Sequence, residues 1–209
     1  MAKPAARIGS DVRLIEAAEA ELMESGGHIE MLAVAKRAGV SVGLAYHHFG
    51  SKTGLIAAVV DRFYGPLRDI TFSNENPDGL DWRGREKARA REMIDYHYGH
   101  PFAPLVAGRL GREPQVLDLE RDHRDALLAE GARNLRAGQR QGVVDPNLDP
   151  EMAIGMLMGG LRLAIDRAIL STPRPDRHEL HEQVWRFIEG ALGMNDRDQI
   201  NTEGGTHVA

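Results

Sequence analysis

Titratable and basic side chains cluster in a stretch of the chain that has no acidic residue. Residues 31–60 contain no Asp or Glu, although the 209-residue chain carries a formal net charge of −5 at pH 7. The basic and histidine side chains of this stretch are Lys36, Arg37, His47, His48 and Lys52. A local basic patch on an acidic protein has the sign needed to bind a phosphate backbone. The stretch is therefore predicted to contact nucleic acid.

A glycine corner separates two short helical patterns within this stretch. Gly39 can adopt a positive φ at the end of a helix, which predicts that one helix ends at Ala38. Ser41 can accept a hydrogen bond from the free amides of a following helix that begins near Val42. Two short helices joined in this way are typical of a helix-turn-helix.

Further residues before and after the two helices extend this motif. Ala17-Ala18 and Gly26 precede the run Ala-Gly-Val-Ser that ends at Ser41, and Tyr46-His47-His48-Phe49-Gly50-Ser51-Lys52 closes the motif. With this order and spacing, the segment from about Val12 to Val60 resembles the DNA-binding domain of the TetR-type bacterial regulators. Beyond it, the chain is similar to that family in its helical character, its length and the phrase Gln141-Gly142-Val143-Val144-Asp145-Pro146.

The resemblance implies which residues meet DNA. The second helix of the motif would face the bases and Lys52 the phosphate backbone, while Ala45 and Phe49 would point inward. The implied DNA-binding residues are Ser41, Val42, Gly43, Leu44, Tyr46, His47, His48 and Lys52. Leu44 stands where the family often has Thr, so it offers only apolar contact, for instance to a thymine methyl. Ile29 and Glu30 replace Thr residues before helix 2, and Glu30 would repel a close phosphate.

Periodicity predicts an all-α protein with two domains. We expect an N-terminal three-helix helix-turn-helix domain at 1–68, a C-terminal helical effector-binding and dimerisation bundle at 80–194, and a disordered tail at 195–209. A polar, turn-rich linker, 73–79, separates the domains. Besides the two helices of the motif, helices are predicted from Ser10 or Asp11 to Glu24, from Ser51 to about Tyr64, and at roughly 81–98, 104–111, 114–140, 150–171 and 177–193.

Histidines lie on apolar stripes of the second domain. His97 shares a predicted helix face with Met93 and Ile94, and His123 shares one with Leu119 and Leu127. Such histidines are either core residues whose hydrogen bonds are satisfied within the protein or polar anchors of a ligand cavity. The sequence leaves both interpretations open. The candidate effector-binding residues are Met93, Tyr96, His97, His100, Phe102, Arg109, Leu119, His123, Leu127 and Asp166.

The last two predicted helices have more apolar surface than one neighbour can cover. They would form either an ordinary buried core or a twofold four-helix interface with a second copy, which the resemblance also implies. The candidate interface residues are Met152, Met156, Leu157, Leu161, Ile165, Val184, Trp185, Ile188 and Leu192.

Several classes of site are not expected. The chain has no Cys, which excludes disulfides and thiolate chemistry. Glu120 and His123 have the spacing of a di-iron helix but lack a second copy of the motif. The pairs His97/His100 and His178/His181 are expected to cap helices or to be solvated rather than to bind metal, so neither a metal nor a cofactor is predicted. With no membrane span and no secretory signal at the N-terminus, a cytoplasmic location is expected.

These features predict a DNA-binding transcriptional regulator and not an enzyme. We expect a repressor that binds a palindromic operator as a homodimer and is released by a small-molecule effector. Its partners would be double-stranded DNA, a second copy and that effector, with no membrane. The alternative is a helical small-molecule-binding or metal-carboxylate bundle protein that does not bind DNA.

Overall fold

The computed structural model describes residues 9–73, 78–112 and 114–194, apart from the side chains of 72, 112, 114–115, 119–120 and 122–123. The described residues form α-helices and one 3-10 helix, which confirms the all-α prediction. The helices are α1 (Ser10–Ser25), α2 (Met31–Ala38), α3 (Val42–Phe49), α4 (Lys52–Phe72), α5 (Trp82–Gly99), α6 (Ala103–Gly108), the 3-10 helix (Leu110–Arg112), α7 (Pro114–Arg140), α8 (Pro150–Leu170) and α9 (Arg177–Ala191). The predicted tail, 195–209, lies outside the described residues.

Local signals fix most helix ends where the sequence predicts them. Gly39 has φ +66° and ends α2, and the Ser41 hydroxyl accepts a hydrogen bond from the amide of Leu44 at 3.2 Å. Asp149 caps α8 by accepting from the amide of Met152 at 2.9 Å, with Pro150 at its first position. Pro fits there because the first amides of a helix have no intrahelical acceptor.

Helix α4 is longer than its sequence pattern predicts. The sequence pattern predicts an end near Tyr64, yet the helix continues past Pro66 to Phe72. Phe63 and Leu67 are buried on either side of the proline. Their packing stabilises the helix against the hydrogen bond that Pro66 removes.

The buried side chains join the two halves of the molecule. One apolar cluster runs from Leu14 and Val34 through Phe63 to Val106 and Ile165, and so connects α1–α4 with α6 and α8. A second cluster surrounds Trp82, whose indole NH donates to Asn134 at 3.1 Å. The long helix α4 therefore belongs to both the predicted DNA-binding half and the predicted effector half. None of the described helices is long and apolar enough to cross a lipid bilayer.

Candidate nucleic-acid interface and internal cavities

Helix α3 presents its polar and aromatic side chains to solvent. Ala45 is buried and Phe49 packs against the core, so the opposite face of this short helix points outward. The exposed residues on and beside that face are Ser41, Val42, Gly43, Tyr46, His47, His48 and Lys52, while Leu44 is partly buried. All but one of the residues implied by the resemblance thus lie on one accessible surface. Their contact with DNA stays a prediction.

The turn from α3 into α4 is held by tight local contacts. Ser51 caps α4 by accepting from the amide of Gly54 at 2.9 Å. A Cβ added at Gly54 would lie 2.2 Å from the carbonyl oxygen of Phe49, so only glycine fits there. This close approach fixes Lys52, in the first turn of α4, beside the exposed face of α3.

The basic patch is smaller than the sequence predicts. Arg37 donates from Nε to Glu21 and from Nη1 to Glu24, at 2.8 Å each, so α1 neutralises it. The hydrogen bond from Arg37 also lowers the pKa of Glu24. Lys52 Nζ lies 4.0 Å from Glu30 Oε1, and both side chains are well exposed. Sequence spacing missed the Arg37 contacts because Glu21 and Glu24 belong to a different helix.

A cavity of about 640 Å³, which we call the α6 cavity, lies between α4, α5, α6, α7 and α8. Met93, His97, Leu127 and Asp166 line it, as predicted. His97 donates from Nδ1 to the carbonyl of Met93 at 2.7 Å, and burial lowers its pKa. The neutral ring therefore leaves Nε2 as its remaining acceptor.

The other candidate effector residues are placed elsewhere or not described. Phe102 is fully buried in the core, and Tyr96 donates to the carbonyl of Phe63 at 2.7 Å, where burial raises its pKa to about 12. His100 stacks edge-on against Phe63. Arg109 is exposed and contacts the turn between α1 and α2. The side chains of Leu119 and His123 lie outside the described residues.

A second cavity of about 700 Å³, the α5 cavity, lies between α5, α7, α8 and α9 and was not predicted from the sequence. Trp82, Arg85, Glu86, Arg89 and Asn134 form part of its wall. Burial raises the pKa of Glu86, even though Arg89 donates to it at 2.7 Å. The arginines of α5 were missed because a run of charged residues on a helix usually marks a solvated face.

The residues predicted for an interface on α8 and α9 differ in their exposure. Ile165, Val184, Trp185 and Leu192 are buried within the chain, where they form part of its core. Leu157, Leu161 and Ile188 are partly buried. The large apolar side chains that remain exposed are Met152 at 64%, Met156 at 63%, Leu163 at 70%, Leu170 at 48% and Phe187 at 56%. Met152, Met156, Leu163 and Leu170 share one face of α8, because they recur every four or seven residues.

Among the described residues, no group of three or more His, Cys, Asp or Glu side chains could hold a metal ion. His181, which was expected to be exposed, is buried, and its Nε2 lies 3.1 Å from Asp95 Oδ1. Packing of α9 against α5 buries this face, which the spacing of His178 and His181 could not indicate.

An exposed helix-turn-helix joined to a helical domain with internal cavities defines a DNA-binding transcriptional regulator. Residues 14–59 match the model of the bacterial regulatory proteins of the tetR family. The chain is 31% identical over 152 residues to the HTH-type transcriptional repressor Rv3405c of Mycobacterium tuberculosis, covering 68% of this chain and 77% of that protein. It is 25% identical over 155 residues to the HTH-type transcriptional regulator UidR of Escherichia coli K12, covering 70% of this chain and 74% of UidR.

The fold is also similar to a solved structure, that of Salmonella enterica GusR. The TM-score is 0.70 at 19% identity, over 92% of this chain and all of GusR (100%). The protein belongs to the TetR family of transcriptional regulators, and such regulators are not enzymes.

Proposed function

We propose that this regulator is a repressor that occupies a palindromic operator as a homodimer and is released when a small molecule fills its internal cavities. The observation that carries the proposal is the contact of Arg109 with the turn between α1 and α2. Arg109 Nη1 donates to the carbonyl of Gly26 at 3.1 Å and lies 3.0 Å from His28 Nε2. Gly27 has φ +102°, and a Cβ there would lie 2.9 Å from Arg109 Cδ.

This contact links the α6 cavity to the helix-turn-helix. Ala103, Val106 and Ala107 of α6 line the cavity, and Arg109 follows directly at the end of that helix. A ligand that pushes α6 outward also moves Arg109 and the turn that it holds. The two recognition helices of a dimer then no longer match successive major grooves, which lie about 34 Å apart in B-DNA.

The exposed apolar face of α8 supports the homodimer. Met152, Met156 and Leu163 form an exposed apolar stripe, and contiguous exposed apolar surface is a mark of protein–protein contact sites. Gly155 and Gly159 lie beside it with open space where a side chain would be, so a second helix can approach closely. A symmetric pair needs such a self-complementary surface.

The test is a selection of binding sites from random duplex DNA with the purified protein. We expect enrichment of an inverted repeat whose half-sites are one helical turn apart and which is bound by two chains. His47→Ala should change the enriched sequence, because His47 is exposed on α3. The matched control is His178→Ala, an exposed histidine on α9, which should enrich the wild-type repeat. Enrichment of no sequence by the folded wild type would favour the helical ligand-binding protein without DNA binding.

A further inference from the structure

The two cavities lie side by side and share an apolar wall, which we call the Met93 neck. Among the described residues, four line both cavities, namely Thr71, Met93, Met158 and Leu161. Three of these are apolar, and the Thr71 hydroxyl already donates to the carbonyl of Leu67 at 2.8 Å. The neck therefore offers no free polar group and suits a hydrocarbon segment.

The α5 cavity carries excess positive charge at its wall, in a protein whose net charge is −5. The described ionisable residues that line it are three arginines and two glutamates: Arg85, Arg89, Arg133, Glu86 and Glu130. Both glutamates have cationic partners, since Arg89 donates to Glu86 and Arg133 donates to Glu130. The acidic groups of this cavity are thus already compensated.

Arg85 carries an unsatisfied donor in the wall of the α5 cavity. Its Nε is buried and has no hydrogen-bond partner in the part of the chain that the structure describes, although Glu86 is close enough to interact with its charge. A buried guanidinium donor without an acceptor is rare in folded proteins and calls for an explanation. An Arg fork pairs best with a planar carboxylate, which it can bind through two parallel hydrogen bonds.

We propose that the effector is an amphipathic carboxylate whose head pairs with Arg85 in the α5 cavity and whose hydrocarbon tail passes the Met93 neck into the α6 cavity. This inference rests on the proposed function, because it names the effector of the same cavities. The two ends of the ligand have different effects on binding and on DNA release. The head sets affinity, whereas only a tail long enough to reach Val106 on α6 can disturb the Arg109 contact and release DNA.

Calorimetry on the full chain, below the critical micelle concentration of each probe, tests the head group. The probes are dodecanoate, dodecanol and dodecyltrimethylammonium, which share a twelve-carbon chain and carry an anionic, a neutral and a cationic head group. We expect dodecanoate to bind at least about tenfold more tightly than the other two, because it alone gains a charge-assisted pair. Equal affinities, or a preference for the ammonium, would overturn the proposal and indicate a neutral or cationic effector.

Arg85→Gln should remove the preference for dodecanoate. The matched control is Arg91→Gln, an exposed arginine of the same helix that lines neither cavity, and it should bind as the wild type does. Retention of the preference in folded Arg85→Gln would refute the role of Arg85. If that variant does not fold, Arg85→Lys is the alternative. It keeps the positive charge but lacks the planar guanidinium, and it should bind dodecanoate more weakly than the wild type.

Tail length is tested on the wild type with hexanoate and dodecanoate. Hexanoate and dodecanoate should displace each other from the protein. At saturation, however, only dodecanoate should release operator DNA. Release by saturating hexanoate would contradict the assigned role of the tail. A protein that binds dodecanoate but no specific DNA would refute the proposed function and leave the ligand assignment standing, so the two failures are distinguishable.

Discussion

Single charged residues near the recognition helix should contribute unequally to DNA binding. Lys52 is exposed at the start of α4, whereas Arg37 is held by Glu21 and Glu24. Lys52→Gln is expected to reduce the slope of log binding constant against log salt concentration by about one, because one phosphate contact is lost. Arg37→Gln should leave the slope unchanged, since its charge is already compensated. Titration of a labelled duplex at several salt concentrations measures both, and equal slopes for the two variants would contradict the prediction.

His97 makes the stability of the protein depend on pH. Burial lowers its pKa from the ordinary value of 6.5, so below that pH the unfolded chain binds a proton that the folded chain does not. The free energy of unfolding should therefore fall as the pH drops below about 6.5 and be unaffected by this group at higher pH. His97→Gln is expected to lose less of its Tm between about pH 7 and pH 5 than the wild type.

The control for that experiment is His47→Gln, which changes an exposed ring on α3 and should keep the wild-type pH dependence. Part of the dependence should remain in His97→Gln, because burial also lowers the pKa of His100 and of His181. Parallel curves of Tm against pH for His97→Gln and the wild type would show that His97 is not responsible.

At the scale of the helices, the junction between α3 and α4 should tolerate no side chain at Gly54. Ala at this position would place a Cβ 2.2 Å from the Phe49 carbonyl, and we expect a loss of about 1–3 kcal/mol in the free energy of unfolding. Gly190→Ala in α9 is the matched control, since nothing lies within 4 Å of its Cβ position. It should gain up to about 1 kcal/mol from helix propensity. Denaturant unfolding measures both, and a gain for Gly54→Ala would rule out the described turn.

Sequence predicted those features that local chemistry determines. Gly39 and Asp149-Pro150 fix helix ends within a few residues, so periodicity and capping were enough to find them. The continuation of α4 past Pro66 depends on the burial of Leu67 by other helices, which no local pattern encodes. For the same reason the exposed face of α8 and the role of Arg85 in a cavity wall became visible only once the helices were packed together.

For the whole molecule, the exposed face of α8 should control oligomeric state. Met156→Glu places a charge on that face, where the side chain is 63% exposed, and should give folded monomers. Trp185→Ala should instead cost about 3–5 kcal/mol of stability, because Trp185 is a core residue. Sedimentation and thermal melting separate the two effects. A stable dimer from Met156→Glu would place the interface elsewhere.

Two of the exposed apolar residues also line the internal cavities. Leu163 lines the α6 cavity and Phe187 lines the α5 cavity, so both cavities open beside the surface proposed to pair with another chain. A partner seated there would cover both entrances, and occupancy and pairing would be thermodynamically linked. The apparent affinity for a ligand would then rise with protein concentration, and the ligand would slow the exchange of subunits between dimers. The cell's supply of the regulator would itself help to determine how sensitively it responds.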